Sequence, residues 1–338
     1  MTQLLNLPFE IIRLIVECLQ SKHDINALIQ TCRFLYDAFD SHLYEYDMRY
    51  ASRSALRWAA RHGHDSVVAK SLAAGPYVEF TGLLNGATPL LLATRYGHAG
   101  IVKRLLLLVD RIDLEAWDTW SGRTALAEAA ASGQAEIAKL LLEKGANVQT
   151  KDRDSCSPLL LAVENGHYEV VRMLLDHGAP VNTRHKHYQT PLSQAAERGR
   201  LKCVDLLLQY GAMVDSQDGY GRTELFHAAK NSYDAVVKRL LEAGADPNKR
   251  ASRVNGWTPL HQAACNSNVS VIRLLLGAGA DPRATDEQGH IPAHLVDSNG
   301  SAGFSPSESD VVRDLLVKAA VGDMLPDAVS KGLIEEIL

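Results

Sequence analysis

The stretch QTPLSQAAERGRLKCVDLLLQYG, residues 189–211, decides the fold because its pattern recurs along the chain. It contains two apolar segments at helical spacing, the first ended by Gly199 and the second by Gly211. Glycine readily adopts the left-handed conformation that terminates helices. Pro191 lies where a first helical turn would begin, a position at which its missing N–H costs nothing. The stretch therefore predicts two short helices joined by a tight turn.

Six further copies of this phrase occur, and their Thr-like position recurs every 33 to 36 residues. The seven positions are Ser54, Thr88, Thr124, Ser157, Thr190, Thr223 and Thr258. Each phrase is followed by a second apolar segment, such as EVVRMLLDHG at 169–178 and AVVKRLLEAG at 235–244. A fixed period of this length indicates one supersecondary unit that is repeated and stacked, because a single unit cannot bury its own apolar face.

The repeated phrase resembles the T-P-L-H signature of the ankyrin-repeat family, and its period is the ankyrin length. The histidine of that signature survives only as His261, so we expect these repeats to depend more on packing. The resemblance implies an all-α fold: an ankyrin-repeat solenoid of helix-turn-helix repeats with β-hairpin loops. We expect about seven repeats plus a degenerate C-terminal one within residues 51–320, followed by a capping helix at 321–338.

In two copies serine replaces the glycine that ends the first helix, at Ser232 and Ser267. The preceding residues are Asn231 and Asn266. Because asparagine tolerates a left-handed backbone better than most residues, we expect a slightly shifted helix cap in these copies.

Residues 1–50 precede the repeats, and their opening resembles an F-box, with an L-x-x-L-P-x-E start followed by an apolar stripe. The matching residues are Leu4, Leu7, Pro8, Glu10, Ile11, Ile15 and Leu19. The resemblance implies that this small helical domain binds the Skp-type adaptor of a cullin-RING ubiquitin ligase. The alternative is that its helices only cap the first repeat, because amphipathic helices are common.

Ankyrin arrays bind partners through hairpin tips and the exposed ends of first helices, so the resemblance places a target-binding surface there. Its candidate residues are Arg95, Tyr96, Trp117, Trp120, Arg123, Arg153, Lys186, His187, Tyr188, Arg198, Tyr220, Arg222, Lys230 and Trp257. Arg, Trp and Tyr are the usual interface anchors. This composition predicts a target protein with exposed acidic or apolar segments. The alternative for Trp117 and Trp120 is packing beneath a neighbouring hairpin.

Composition limits the classes of binding partner and the cellular compartments that we expect for this chain. A formal net charge of -5 gives no global basic field for nucleic acid. The longest uninterrupted apolar runs, such as residues 105–109, are far shorter than the roughly 20 residues that span a bilayer, and the first residues lack the basic leader of a signal peptide. Five cysteines without a C-x-x-C pair predict free thiols, hence a cytoplasmic or nuclear location.

No pattern typical of catalysis is found. The H-x-H pairs His62 with His64 and His185 with His187 lack the further ligands of a tetrahedral metal site. Gly-rich phosphate loops and H-E-x-x-H are missing. We therefore expect a monomeric, non-enzymatic chain without metal, cofactor or catalytic residue. Its expected role is the substrate-recognition subunit of an SCF-type ligase; the alternatives are a plain ankyrin scaffold and, with no supporting constellation, an enzyme.

Overall fold

The computed structural model of the chain describes residues 54–73, 87–108, 112–296 and 306–322. Within these ranges the secondary structure is helical, and the only β pairing consists of the isolated bridges Trp117 to Thr124 and Ala251 to Trp257. The predicted all-α, ankyrin-type fold is confirmed. The F-box-like residues 1–50 and most of the predicted C-terminal cap lie outside the described residues.

The described part of the chain contains seven helix pairs, which we number as repeats 1 to 7. The pairs are α1 Ser54–His62 and α2 Asp65–Ala73; α3 Pro89–Arg95 and α4 Ala99–Leu108; α5 Ala125–Ser132 and α6 Ala135–Glu143; α7 Pro158–Asn165 and α8 Tyr168–Asp176; α9 Pro191–Glu197 and α10 Leu201–Gln209; α11 Glu224–Lys230 and α12 Asp234–Glu242; α13 Pro259–Cys265 and α14 Val269–Gly277. A 3-10 helix at Pro292–Leu295 and helix α15 at Pro306–Gly322 follow.

The chain divides into two compact units. The N-terminal unit comprises Met1–Ala129 with Glu136–Asn147, and the C-terminal unit comprises Ala130–Ala135 with Val148–Leu338. The N-terminal unit thus holds repeats 1 and 2 and most of repeat 3. The C-terminal unit holds repeats 4 to 7 and the helices that follow them.

A threonine or serine hydroxyl starts the first helix of each repeat from 2 to 7. Thr88 Oγ1, for example, accepts a hydrogen bond from the Leu91 N–H at 3.2 Å. Such a cap contributes about 1 kcal/mol because it satisfies an N–H that the helix leaves unpaired. In repeat 7 His261 returns a bond to the Thr258 N–H, as the family signature leads one to expect. Ser193 performs the same task in repeat 5, which the sequence had not indicated.

Glycine ends first helices for two reasons, as Gly63 and Gly199 show. Both have a left-handed backbone, with φ of 81° and 67°. In addition, a ring from the following repeat lies against each of them. A Cβ on Gly63 would meet the His98 ring at 2.8 Å, and one on Gly199 would meet the Tyr233 ring at 2.8 Å. These positions therefore need both the freedom and the small size of glycine.

The shifted cap expected in repeats 6 and 7 is wrong. Ser232 and Ser267 themselves hold the left-handed conformation, with φ of 59° and 52°. Asn231 and Asn266 keep φ near -98° and -90°. The Asn231 side chain instead donates a hydrogen bond of 3.0 Å to the Glu197 carbonyl of the previous repeat. That bond satisfies a carbonyl at a helix end, which outweighs any preference of asparagine for the cap.

The core is built from one leucine position in the middle of each second helix. These side chains are fully buried in repeats 2 to 7, namely Leu105, Leu141, Leu174, Leu207, Leu240 and Leu275. Burying a leucine contributes roughly 2 kcal/mol. At the C-terminal end, Val312 and Leu316 of α15 are also buried, and Arg283 Nε donates a 2.9 Å hydrogen bond to the Ala320 carbonyl.

Candidate protein-binding surface

An aspartate organises the hairpin tips before repeats 3, 4 and 6 and the tip that follows repeat 7. Its carboxylate accepts hydrogen bonds from backbone N–H groups that follow it in the turn. Asp218, for example, accepts from the Tyr220 N–H at 2.8 Å and the Arg222 N–H at 2.9 Å. The same arrangement occurs at Asp118, Asp152 and Asp286. Short acidic side chains close turns in this way, so the backbone of each tip is held in place by its aspartate.

Five of the predicted target-binding residues lie in the N-terminal unit, on the tip of repeat 3 and the end of helix α3. We call them, together with Arg61, the Trp120 surface: Arg61, Arg95, Tyr96, Trp117, Trp120 and Arg123. The Trp120 side chain is 84% exposed, so it does not pack beneath a neighbouring hairpin. Trp117 and Tyr96 are about half exposed. The turn from Asp118 to Thr124 is one residue longer than the turn from Asp218 to Thr223.

The acidic side chains of the Trp120 surface are more deeply buried than its arginines. Arg95 donates to Asp118 Oδ2 at 2.5 Å and to Glu128 Oε1 at 2.8 Å, while Arg123 Nη1 lies 3.8 Å from Glu128 Oε2. The Asp118 and Glu128 side chains are only 1% and 12% exposed, against 32% for Arg95. The carboxylates thus lie beneath the guanidinium groups.

Hydrogen bonding keeps the buried carboxylate of Asp118 ionised. Burial alone would raise the pKa of Asp118, but hydrogen bonds from Ser121 and Arg95 overcome this and hold that pKa below its usual value. Arg61 is a further cation of this surface, and its guanidinium lies 5.3 Å from the Tyr96 ring centroid. This distance is within the range of a cation–π contact.

In the C-terminal unit the predicted residues Lys186, Tyr188, Arg198, Tyr220 and Arg222 belong to the tips and helix ends of repeats 5 and 6, and we call them the Tyr188 surface. Both tyrosines are exposed. The Gly219 N–H donates a 3.0 Å hydrogen bond to the His187 carbonyl, which joins the two tips. Tyr188 has a left-handed backbone, φ 62°, at the turn position where the next tip carries Gly221 and the preceding tip carries Ser155, with φ of 76° and 60°.

A buried polar cluster supports the Tyr188 surface. Asp218 accepts from Arg222 Nε at 2.9 Å, and His227 Nε2 lies 3.1 Å from Asp218 Oδ2. The His227 side chain is fully buried, and its Nδ1 lies 3.7 Å from Glu197 Oε1. Burial alone would raise the pKa of Asp218, but hydrogen bonds from His227 and Arg222 hold it far below its usual value.

His227 was not among the residues predicted from sequence. Its position, one turn into the first helix, carries a polar residue in several repeats, and that recurrence is the signal that could have identified it. The equivalent residues are Glu128, Gln194 and Gln262. Polar residues on a helix face that is otherwise apolar indicate hydrogen bonding between repeats.

The remaining predicted residues differ in their surroundings. Lys186 pairs with Asp154 at 2.5 Å, and Arg198 pairs with Glu164 at 2.8 Å. Trp257 is partly buried, and its indole Nε1 donates to Asp286 Oδ2 at 3.2 Å, so it serves the hairpin. The other three, Arg153, His187 and Lys230, are exposed.

The two H-x-H histidine pairs make aromatic ring contacts. The rings of His62 and His64 both stack on Trp58, at 4.5 and 4.8 Å between centroids, while His185 and His187 pack edge to face. Among the described residues, no group of three or more His, Cys, Asp or Glu side chains is placed to hold a metal ion. None of the helices in these ranges combines the length and apolarity needed to cross a membrane.

Stacked helix pairs with rigid, exposed tips define a helical-repeat module for binding other proteins. A family model described as ankyrin repeats in three copies matches residues 56–152, 107–185, 159–251 and 214–286, which together cover more than half of the chain. The chain belongs to the ankyrin-repeat family, and it is a protein–protein interaction module.

Similar proteins support the same assignment. The crystal structure of the human ASB11 ankyrin repeat domain superposes with a TM-score of 0.58 at 29% identity, covering 69% of this chain and 98% of that one. The Arabidopsis thaliana E3 ubiquitin-protein ligase XBAT33 is 39% identical over 89 residues, 26% of this chain and 17% of that protein. Mouse ankyrin repeat and SAM domain-containing protein 6 is 40% identical over 70 residues, 21% of this chain and 8% of that protein. The chain thus spans only a small part of these two curated relatives.

Proposed function

We propose that this chain selects a target protein for an SCF-type cullin-RING ubiquitin ligase. Residues 1–50 bind a Skp-type adaptor, and the ankyrin repeats bind the target. The observation that carries the proposal is the L-x-x-L-P-x-E motif at residues 4–10, placed directly before an array of protein-binding repeats. The similarity of part of this chain to a protein named as an E3 ubiquitin-protein ligase also supports a role in ubiquitin ligation.

The proposed mechanism is proximity. The chain holds its target beside the ligase, and the chemistry of ubiquitin transfer belongs to other subunits. Tethering raises the effective concentration of the target's lysines near the ubiquitin-carrying subunit, to the order of millimolar for short connections. The rigid tips organised by Asp118 and Asp218 suit this role, because a fixed surface loses little entropy when it binds.

The first test is a pull-down of the full chain with a recombinant Skp-type adaptor. We expect the wild type to bind and a Leu7→Ala/Pro8→Ala variant to lose at least about tenfold in affinity, as interface anchors do. Leu107→Ala, which truncates an exposed side chain of α4, is the matched control and should bind as the wild type does. Circular dichroism of both variants checks that helicity is unchanged.

The competing function is an ankyrin scaffold without a ligase role, in which residues 1–50 only cap repeat 1. Failure of the wild type to bind the adaptor would favour it. Deleting residues 1–46 gives a second discrimination, because loss of a cap exposes the apolar face of the first repeat. A deleted chain that melts early or aggregates indicates a cap, whereas one that stays folded and keeps binding its target indicates a separate adaptor-binding domain.

A further inference from the structure

We infer that the Trp120 surface binds an acidic protein segment that carries a large apolar side chain. The inference rests on the proposed function, because the segment would belong to the selected target, and it adds the chemistry by which that target is recognised. Three features of the N-terminal unit lead to it: an exposed indole on a fixed backbone, cations placed above carboxylates, and a second aromatic ring beside a further arginine.

The indole of Trp120 is presented to solvent by a turn that cannot easily collapse. Asp118 accepts hydrogen bonds from the Trp120 N–H at 2.8 Å and from the Ser121 hydroxyl at 2.7 Å. Its carboxylate is almost completely buried, and Arg95 holds it from the other side. An aromatic side chain this exposed leaves a large apolar area in water, and a rigid backbone removes the cost of ordering it on binding. An apolar side chain of a partner is the group that would cover it.

The order of charges favours an acidic partner. A segment approaching the Trp120 surface meets the guanidinium groups of Arg95 and Arg123 before it reaches Asp118 and Glu128, whose side chains are buried. Arg61 adds an exposed cation that has no carboxylate within salt-bridge distance among the described residues. Carboxylates of the partner can therefore pair with Arg61, and they approach the outer side of Arg95, whose Nε and Nη2 are bonded to Glu128 and Asp118 beneath it.

Tyr96 adds an aromatic ring beside the arginines. Its ring is about half exposed, and the Arg61 guanidinium lies over it at 5.3 Å. Arginine held against an aromatic face keeps its donors directed outward and loses little freedom when it pairs. The surface thus combines cationic and aromatic groups, which complements a segment that combines acidic and apolar residues.

Single-stranded nucleic acid is the other macromolecule that combines negative charge with flat apolar groups. The described Trp120 surface lacks a continued row of lysines and arginines to follow a phosphate backbone, and the whole chain has a formal net charge of -5. A protein segment is therefore favoured, and an oligonucleotide serves as a competitor in the test.

The test is fluorescence anisotropy of the full chain with three short synthetic peptides and an oligothymidylate. The first peptide alternates Glu with Leu and Phe, the second replaces Glu by Lys, and the third replaces Leu and Phe by Ala. We expect binding of the first peptide only, weakened by added salt because exposed charges are screened. Trp120→Ala should raise its Kd about tenfold or more, and Arg61→Ala by a smaller factor. Leu107→Ala is the matched control and should leave Kd unchanged.

The inference is overturned if the first peptide does not bind, if the Lys peptide or the oligonucleotide binds as well or better, or if Trp120→Ala leaves Kd unchanged. Trp120 is so exposed that its truncation should not alter folding, which a thermal melt checks. The proposed peptide site consists of described repeat residues and does not include residues 1–50. Loss of adaptor binding with retained peptide binding would therefore remove the ligase role and keep the binding surface.

Discussion

The Trp120 and Tyr188 surfaces use the same parts and differ in where their carboxylates lie. Each has a buried aspartate in a rigid tip, exposed aromatic rings and several arginines. At the Trp120 surface the carboxylates of Asp118 and Glu128 are beneath the arginines. At the Tyr188 surface Lys186 faces Asp154, which is 64% exposed, so that cation is neutralised at the level of the solvent.

The number of Lys and Arg side chains therefore does not by itself determine whether a surface attracts acidic partners. The enrichment in Arg and Lys predicted acidic or apolar target segments for all tips alike. We propose that reading only for the Trp120 surface, where Arg95 is more exposed than the carboxylates of Asp118 and Glu128. At the Tyr188 surface the exposed ion pair of Lys186 with Asp154 leaves little net field, because exposed pairs are weak and accessible to either sign.

The largest expected effect concerns the two buried aspartates. Asp218→Ala should lower the free energy of unfolding by about 3 to 5 kcal/mol, because it leaves the fully buried His227 and the Arg222 side chain without their carboxylate. Asp118→Ala should cost less, about 1 to 3 kcal/mol, because Arg95 keeps Glu128 at 2.8 Å. Urea unfolding followed by circular dichroism measures both.

The pH dependence of the same variants provides the control. The pKa of Asp218 in the folded chain lies far below its usual value of 3.8, so the stability it contributes is present above that pH and is lost as pH falls below it. The Asp218→Ala variant should therefore lose less stability on acidification than the wild type. If Asp118→Ala and Asp218→Ala lowered the free energy of unfolding by the same amount at neutral pH, the distinction between the two tips would be contradicted.

Much of the fold could be predicted because its signals are local. The period, the threonine caps and the helix-ending glycines each reflect the conformation of a few consecutive residues. The serine cap in repeat 6 was mispredicted for the opposite reason. The Asn231 side chain bonds to the carbonyl of Glu197 in the previous repeat, a contact that no local rule contains.

The chemistry of the surface was harder to predict, because it depends on residues one period apart. Arg95 and Glu128 are 33 residues apart in sequence, and Arg198 and Glu164 are 34 apart. Both pairs are neighbours only because the repeats stack. The exposure of Trp120 could be suspected from the longer turn after Asp118, whereas the burial of Asp118 and Glu128 beneath the arginines depends on how the repeats stack.

The next effect concerns a second buried carboxylate of repeat 6, at a helix position that holds Ala125 in repeat 3. Burial, with a smaller contribution from the nearby Asp215 carboxylate, raises the pKa of Glu224 to about 8. Its Oε2 is buried without a hydrogen-bond partner among the described residues, and its Oε1 lies 3.5 Å from the Thr190 hydroxyl. The folded chain therefore holds a proton there that the unfolded chain releases above its ordinary pKa of 4.5.

It follows that Glu224 costs stability as pH rises from about 4.5 to about 8. Glu224→Gln should remove this loss and be more stable than the wild type at alkaline pH, by on the order of 3 kcal/mol. Thermal melts across this pH range measure it, with Glu169→Gln, an exposed residue of α8, as the control. A variant that follows the wild-type pH profile would mean that Glu224 is ionised in the folded state.

The smallest effect tests whether the Tyr188 surface is kept for binding. Tyr188 has φ of 62°, whereas the tip of the Trp120 surface places Gly122, with φ of 71°, in its turn. A left-handed backbone costs a bulky residue roughly 1 kcal/mol. Tyr188→Gly should therefore be more stable than Tyr188→Ala by about that amount, because alanine keeps the strain and glycine relieves it.

Thermal melts of the two variants beside the wild type separate strain from packing. The Tyr188 ring lies next to Gly219, 3.8 Å from where a Cβ would be, so the ring recovers some contact energy. If Tyr188→Gly exceeds the wild type in stability, the chain retains a strained tyrosine where glycine would fold better, as expected when a side chain serves a partner. If the wild type is the most stable of the three, the Tyr188 ring stabilises the fold by packing. Only the Trp120 surface then remains a proposed binding site.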